Sequence, residues 1–347
     1  MPVYQINPLT DTRWTELVDR HPSSSIFHTR EWLRSLQQTY GYSPVAFTTS
    51  NSTELENAVV FCKVESWLTG KRLVSLPFSD HCQPLAEDRA LEEILQFVPE
   101  WSRKHGLKYI ELRPLLPWDE TVSHGQLGIS EQFRFHSIDL RPSAETLYRG
   151  LHDSCIRRKV KRATREQLVY EAGNSEDLLR KFRYLLLLTR RRHKLPPQPA
   201  TWFENLAASC GDKLRIHMAL KDQTPVASIL TLDHKNVIVY KYGCSDASQN
   251  ALGGTPFLFW TVIQAAKDAG MVELDLGRSA YDDEGLTSFK EHLGGKASDL
   301  IYFRNPAPQK TEQSAGSGIS SWARETLSRM PDPLLAGVGN LLYRHIG

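Results

Sequence analysis

The sequence predicts an α/β (α+β) protein in which one mixed-sheet unit occurs twice and is followed by a C-terminal helix. Three observations predict this. The 347 residues are enough for two domains of ordinary size. A hairpin, a helix and a strand follow one another early in the chain and again in its second half. A glycine also stands five positions before an acidic residue in both closing strands, at Gly106 and Glu111 and at Gly270 and Asp275.

In the first copy, β-rich segments at 58–64 and 72–76 flank a turn and predict a hairpin. Apolar residues at helical spacing predict a helix over 88–104, interrupted by Pro99, and Gly106 ends it before a strand at 108–112.

In the second copy, strands are predicted at 213–220, 226–232 and 236–243. Thr255 as N-cap and Pro256 at the first helical position predict a helix that runs to residue 269, before a strand at 272–276.

The domain limits follow from turn and linker composition. A strand over 133–140 ends at Arg141 and Pro142, so the domains are predicted at 1–141 and 142–305. Residues 306–320 are rich in Pro, Gly and Ser and predict a linker. Residues 321–347 predict an amphipathic helix segment, which packs on the body of the protein or lies on a membrane surface.

Composition excludes several classes of protein. The net charge is only +2, so no DNA partner is expected. The five cysteines form no C-x-x-C pair and the 12 histidines no H-E-x-x-H motif, so neither a disulfide framework nor a metal site is expected. The N-terminus lacks the pattern of a signal peptide and no apolar run reaches about 20 residues. We expect a cytoplasmic protein, with the inner face of the membrane as a candidate place of contact.

A basic stretch at 157–194 holds 13 Lys and Arg against four acidic residues, a local charge of +9. Like charges four residues apart on a helix repel each other. The pattern therefore favours a polyanionic partner, either a phosphorylated substrate, a pyrophosphate lipid or RNA, over a solvated helix face. The candidate phosphate-binding residues are Arg158, Lys161 and Arg162.

The segment after the last predicted strand resembles a known family. Residues 275–279 read Asp-Leu-Gly-Arg-Ser, and Glu-Gly-Leu at 284–286 and Phe289-Lys290 follow, with Leu-Gly-Gly at 293–295. This string is similar to the C-terminal half of FemAB-like proteins, within the GNAT acyltransferase superfamily. Residues 25–32 resemble the family's first half, and residues 342–347 resemble the tail of FemAB-related proteins encoded near exopolysaccharide and protein-sorting loci.

The resemblance implies tandem GNAT folds and an N-acyltransferase or aminoacyltransferase. Its acceptor would be an amine on a peptidoglycan, exopolysaccharide or other cell-envelope precursor, itself phosphorylated. By the family match, Lys290 stabilises the developing oxyanion and Phe289 positions the donor ester. The family's first half contributes to acceptor binding, which makes Arg34 a candidate contact for a substrate phosphate.

Three other residues of the loop are candidates on chemical grounds. Asp275 is a candidate general base for the attacking amine, or has a structural role shared with Glu111. Arg278 is placed to clamp a phosphate or carboxylate, or to pair with a nearby aspartate. Tyr281 is a candidate for the wall of the acceptor pocket.

Acyl-CoA and aminoacyl-tRNA both remain open as donor, and no other cofactor is indicated. The CoA-binding pattern Q/R-x-x-G-x-G/A is poorly matched, because Gln249 lies four residues before Gly253. The chain also has no heptads for the coiled-coil arm of tRNA-dependent relatives and so resembles the armless branch. The alternatives to an enzyme are a module that binds RNA or anionic lipid, and a non-catalytic scaffold for envelope export.

Overall fold

The computed structural model describes residues 2–116, 127–308, 327 and 330–347. These residues fold into two compact units. The first unit comprises 2–116, 127–133, 299–308 and 340–347, and the second comprises 134–298, 327 and 330–339. Most of the predicted linker at 306–320 and residues 321–326 of the predicted helix segment lie outside the described residues.

The elements up to residue 112 all belong to the first unit. In chain order they are β1 (Tyr4–Ile6), α1 (Arg13–Arg20), a 3₁₀ turn (Ile26–His28), α2 (Arg30–Tyr40), β2 (Ser43–Thr48), β3 (Val59–Ser66), β4 (Gly70–Ser75), α3 (Asp88–Lys104) and β5 (Ile110–Leu112). Buried side chains of α3, among them Ile94 and Val98, pack against the sheet residues Phe47 and Phe61. Helix α3 passes through Pro99 without ending there.

The remaining elements follow residue 127. They are β6 (Gly128–Asp139), α4 (Ala144–Gly150), a π-helical turn (Asp153–Arg157), α5 (Arg158–Arg165), β7 (Val169–Gly173), α6 (Glu176–Arg192), α7 (Ala200–Cys210), a 3₁₀ turn (Gly211–Lys213), β8 (Leu214–Lys221), β9 (Thr224–His234), β10 (Val237–Ser245), a 3₁₀ turn (Ala247–Leu252), α8 (Gly254–Asp268), β11 (Glu273–Ser279), α9 (Glu284–His292), β12 (Lys296–Asn305) and α10 (Asp332–Ile346).

The two units repeat one strand order. Among the described residues, β1-β2-β3-β4-β5-β12 in the first unit corresponds to β7-β8-β9-β10-β11-β6 in the second. In both, the fourth and fifth strands of these series are parallel and the other neighbours are antiparallel. The helix before the parallel partner is α3 in one unit and α8 in the other. The predicted duplication of a mixed α/β unit is confirmed.

The closing strand of each unit comes from the other half of the chain. Residues 303–305 of β12 pair with β5, and residues 134–139 of β6 pair with β11. The limits of the two compact units therefore differ from the predicted limits of 1–141 and 142–305. The reason is that strand pairing, which is nonlocal, decides to which unit a strand belongs. Those predicted limits stay a prediction.

Helix α10 has contacts that hold its last residues on the first unit. His345 Nδ1 lies 2.9 Å from the hydroxyl of Ser66, and the buried guanidinium of Arg72 donates to the carbonyl of His345 at 2.9 Å. In the part of the chain that the structure describes, no helix has both the length and the apolar character needed to cross a bilayer.

Candidate active site of the second unit

Strand β11 ends in a glycine bulge held by Asp275. The pairing of β11 with β6 shifts register between Asp275 and Arg278, and Gly277 takes a φ of 70° there. Only glycine adopts such a conformation at little cost. The buried Asp275 carboxylate accepts the Gly277 N–H at 2.6 Å. Its contact is thus that of a group stabilising the bulge, and its role as general base stays a prediction.

Lys290 contacts the carbonyl oxygen of the same glycine. It is 2% exposed, and its ammonium donates to the carbonyl oxygens of Gly277 at 2.9 Å and Arg278 at 2.8 Å. Helix α9 carries it there and is capped by Asp283, whose carboxylate accepts the Leu286 N–H at 3.0 Å. The lysine is therefore a buried charge at the end of β11 rather than a lysine on the helix surface.

A buried histidine that the sequence analysis missed faces this charge. His136 lies on β6 between the residues that pair with Asp275 and Arg278, and it is fully buried. Burial and, to a lesser degree, the positive charge of Lys290 lower the pKa of His136. The imidazole is therefore neutral near pH 7, and the lysine is the positive charge of the pair. No sequence motif marks His136, because the strand pairing brings it here.

A cavity of about 280 Å³ opens at the N-terminus of α8. Its lining comes from α5, β9, β10, the 3₁₀ turn Ala247–Leu252, α8 and α9: Lys159, Val226, Ala227, Ser245, Asn250, Gly254, Thr255, Pro256 and Phe289. The N-terminus of a helix presents unpaired N–H groups and a positive dipole end, and a lysine beside it adds a full charge. The cavity therefore has the chemistry of a site for a phosphate-bearing ligand.

Glycines allow α8 to begin this close to its neighbours. Gly253 has a φ of 80°, and a Cβ there would lie 2.4 Å from the carbonyl oxygen of Lys159. A Cβ on Gly254 would lie 3.0 Å from side-chain carbons of Val226 and Ala227. The helix begins at Gly254 with Gly253 as N-cap, so the prediction of Thr255 as N-cap and Pro256 at the first position is wrong by two residues. The left-handed Gly253 sets the start of the helix.

Phe289 connects the cavity to the buried lysine. Its ring packs edge-to-face on Phe259 of α8, with centroids 5.5 Å apart, and it also lines the cavity. Lys290 is the next residue on α9. The structure thus brings Phe289, Lys290 and Asp275, which the sequence analysis named as catalytic candidates, to one end of β11.

The predicted binding residues are more scattered. Arg278 is half-buried on β11, opposite Phe135. Tyr281 is 46% exposed, with the guanidinium of Arg134 5.4 Å from its ring centre. Lys161 is exposed on α5, and Arg34 is exposed on α2 of the first unit. Their binding roles stay predictions.

Much of the basic stretch is paired with acidic side chains. Arg158 contacts Asp153 at 3.1 Å, and Arg162 contacts Glu166 at 3.6 Å. On α6, Lys181 contacts Asp177 at 2.8 Å. Glu166 and Asp177 are already counted in the local charge of +9, whereas Asp153 lies outside the stretch and lowers that charge through its pair with Arg158. Pairing of this kind weakens the case for a polyanion along the whole stretch. Lys159 stands out because it lines the cavity, a position that helical spacing alone did not single out.

Residues 153–291 match the family model described as acetyltransferase (GNAT) domain. The second unit carries a GNAT acyltransferase domain. The match takes in α5, the N-terminus of α8, β11 and α9 up to Glu291, so it includes every residue of the cavity. A search of the curated proteins finds no match.

Solved structures share the fold of this acyltransferase over most of its length. The chain is similar to FemX with 12% identity and a TM-score of 0.71, over 92% of this chain and 100% of that one. It is similar to the C-terminal domain of a putative lysylphosphatidylglycerol synthetase from Agrobacterium fabrum, with 14% identity and a TM-score of 0.58, over 90% of this chain and 95% of that one. It is also similar to a tandem GNAT protein from the clavulanic acid biosynthesis pathway, with 12% identity and a TM-score of 0.55, over 89% of this chain and 100% of that one.

The family match confirms the assignment to the acyltransferases, and the solved structures confirm the tandem GNAT fold, which FemX shares. The chemistry that the family match indicates is acyl transfer.

Proposed function

We propose that the second unit transfers an acyl or aminoacyl group from a phosphate-bearing donor to an amine on a cell-envelope or exopolysaccharide precursor. The observation that carries the proposal is the cavity at the N-terminus of α8, with Lys159 in one wall and Phe289 in another. The donor is acyl-CoA or aminoacyl-tRNA, both of which carry phosphates that this end of the helix favours.

The proposed reaction is the attack of an amine on an activated carbonyl group. The acceptor amine attacks the donor carbonyl carbon, a C–N bond forms and the carbonyl oxygen becomes an oxyanion. Collapse of this intermediate breaks the C–S bond of a thioester or the C–O bond of a ribose ester, and the amine proton leaves to the leaving group or to solvent. The charge of Lys290, fixed by two carbonyl contacts, stabilises the oxyanion.

Fewer observations bear on the acceptor than on the donor. One protein of similar fold is named a putative lysylphosphatidylglycerol synthetase, and another FemX. These names and the resemblance of residues 275–295 to FemAB-like proteins support an envelope precursor as acceptor and tRNA as a candidate partner. Contact with the inner face of the membrane would suit a lipid-linked precursor.

Donor binding is the first test. Purified protein is titrated calorimetrically with coenzyme A, acetyl-CoA and aminoacyl-tRNA. One of these should bind, and Lys159→Ala should weaken its binding by about fivefold to tenfold because one charge-assisted contact is lost. Arg165→Ala removes an exposed cation from the same helix and should leave the affinity unchanged. Equal weakening by both variants, or no binding of any donor, would contradict the donor site.

Transfer is the second test, with the donor that binds and an amine-bearing nucleotide sugar as acceptor. Lys290→Met should lower the rate about 100-fold or more while leaving the donor dissociation constant near its wild-type value. Circular dichroism checks that the variant folds. Turnover that survives unchanged would exclude the role of Lys290. Polyanion binding that falls steeply with salt, with no transfer, would favour the binding-module alternative.

A further inference from the structure

Three metal-ligating side chains meet on the second unit, outside the cavity residues. They are His152, Cys155 and His292, and their candidate ligand atoms all lie within 4.8 Å of one another. The two imidazole rings are 4.2 Å apart between centroids. We infer that this cluster binds a zinc ion. The inference is independent of the acyl-transfer proposal.

The backbone holds the two parts of the cluster together. The His152 N–H donates to the carbonyl oxygen of His292 at 2.9 Å, which fixes the segment before the π-helical turn against the end of α9. Cys155 lies within that turn. A metal at this position would therefore bridge two elements that already touch, so little rearrangement is needed to bring the ligands together.

The ligand set and its exposure suit zinc. Imidazole nitrogen and thiolate sulfur are the ligands that Zn²⁺ prefers, and three protein ligands leave a fourth position for water. His152 is exposed, whereas Cys155 and His292 are half-buried. An ion can thus enter from the solvent on the His152 side and be partly enclosed by the other two ligands.

Two features of the surroundings compete with the ion. The Cys155 N–H donates to His152 Nδ1 at 3.3 Å, a long bond that the ring gives up or re-forms when a metal binds. The cations Arg157 and Arg158 are close in sequence, but both pair with the carboxylate of Asp153, at 3.2 Å and 3.1 Å. On binding the metal, the Cys155 thiol would release its proton and contribute a further negative charge. The local field therefore allows a dication.

The position of the site gives it a structural consequence. His292 follows Lys290 by two residues on α9, and Cys155 precedes Lys159 of α5 by four. A metal bound to both would tie the helix that carries Phe289 to the helix that carries Lys159. These are two walls of the cavity, so the ion would fix the distance between them.

The test uses the full chain, stripped of metal with a chelator and then titrated with Co²⁺ and Zn²⁺. We expect one ion per chain, with the charge-transfer absorption of a cobalt–thiolate bond and a rise in melting temperature with Zn²⁺. Cys155→Ser should remove the charge-transfer band, and Cys155→Ser and His292→Ala should each weaken zinc binding about 100-fold or more.

His105→Ala is the matched control, since it removes an exposed histidine from the first unit. It should leave stoichiometry and affinity unchanged. Circular dichroism and the melting curve of each metal-free variant show that it is folded. The inference is overturned if the wild-type chain takes up no stoichiometric metal, or if the cobalt–thiolate band and the zinc affinity persist in Cys155→Ser and His292→Ala.

Discussion

The two units close their corresponding strands in different ways. In the first unit, Glu111 of β5 forms a buried ion pair with Arg113 at 2.7 Å, and Arg113 also donates to the carbonyl oxygen of Leu76 at 2.7 Å. In the second unit, the corresponding Asp275 of β11 accepts the Gly277 N–H, and the nearby cation is Lys290, which contacts backbone carbonyls. In the first unit, the cation at the strand end is paired with a carboxylate. In the second unit, the cation at the strand end is an ammonium that contacts backbone carbonyl oxygens.

The helices before these strands also differ in the residue at their N-cap. Helix α3 begins after Glu87, an acidic residue that suits the positive end of the helix dipole. Helix α8 begins after Gly253, which has no side chain to occupy that end, and a cavity lies there. The duplication thus supplies one scaffold twice. Small side chains and a lysine beside the helix N-terminus make the second copy suitable for an anionic ligand.

The largest expected effect is on the ion pair of the first unit. Glu111→Gln leaves Arg113 as a buried charge without its carboxylate, which should lower the free energy of unfolding by about 3–5 kcal/mol. Asp275→Asn removes one charge-assisted hydrogen bond and should cost about 1.5–3 kcal/mol. Urea unfolding measures both. A cost for Asp275→Asn as large as that for Glu111→Gln would show that the two strand ends are stabilised alike.

Sequence reasoning recovered the repeat and the strand-end residues because both are local patterns. Gly106 and Gly270 each end a helix five residues before an acid, and the structure places both acids on parallel-paired strands. The string around Lys290 likewise lies at the end of β11, where the structure places this buried lysine. These features depend on residues within one turn or one strand of each other.

What sequence reasoning missed is nonlocal. β6 pairs with β11 of the second unit, and β12 pairs with β5 of the first. This pairing depends on which distant strand has a free edge, and the residues of β6 and β12 do not indicate it. His136 reaches Lys290 only through the pairing of β6 with β11. The spacing His152-x-x-Cys155 was a signal for a metal site, but its partner His292 is remote in sequence, so a search for local motifs passed over it.

The glycines give a second, smaller test, which concerns the close approach at the start of α8. Gly253→Ala should lower the free energy of unfolding by about 1–3 kcal/mol for the left-handed conformation alone, with more from the clash with the Lys159 carbonyl. Gly106→Ala and Gly270→Ala, at helix ends with φ of 66° and 78° and nothing within 4 Å of the added carbon, bear only the conformational cost. Thermal unfolding of the three variants compares them directly. Equal costs would show that the approach of α8 to Lys159 is not a tight one.

The last expected effect, which develops only at acidic pH, is a difference in acid sensitivity. His217 of β8 is buried in the second unit, between the Tyr170 hydroxyl at 2.8 Å and the Thr231 hydroxyl at 3.0 Å. Burial, with a smaller contribution from Arg215, lowers the pKa of His217 to about 3. Between pH 6.5 and that value the unfolded chain binds a proton that the folded one does not. Stability is therefore complete above pH 6.5 and falls by about 1.4 kcal/mol for each pH unit below it.

Hydrogen exchange between pH 6.5 and 4.5, corrected for the intrinsic exchange rate, follows this loss in each unit. Two carboxyl groups of the first unit stay ionised through this window, because the arginine beside Asp11 and the lysines beside Glu65 hold the pKa of each below its usual value. Protection of β8 and β9 should therefore fall more steeply than that of β2 and β3. In His217→Asn the excess slope should become smaller, although the variant is less stable at neutral pH. A slope that stays the same in His217→Asn would assign the acid sensitivity to another group and remove this difference between the two copies.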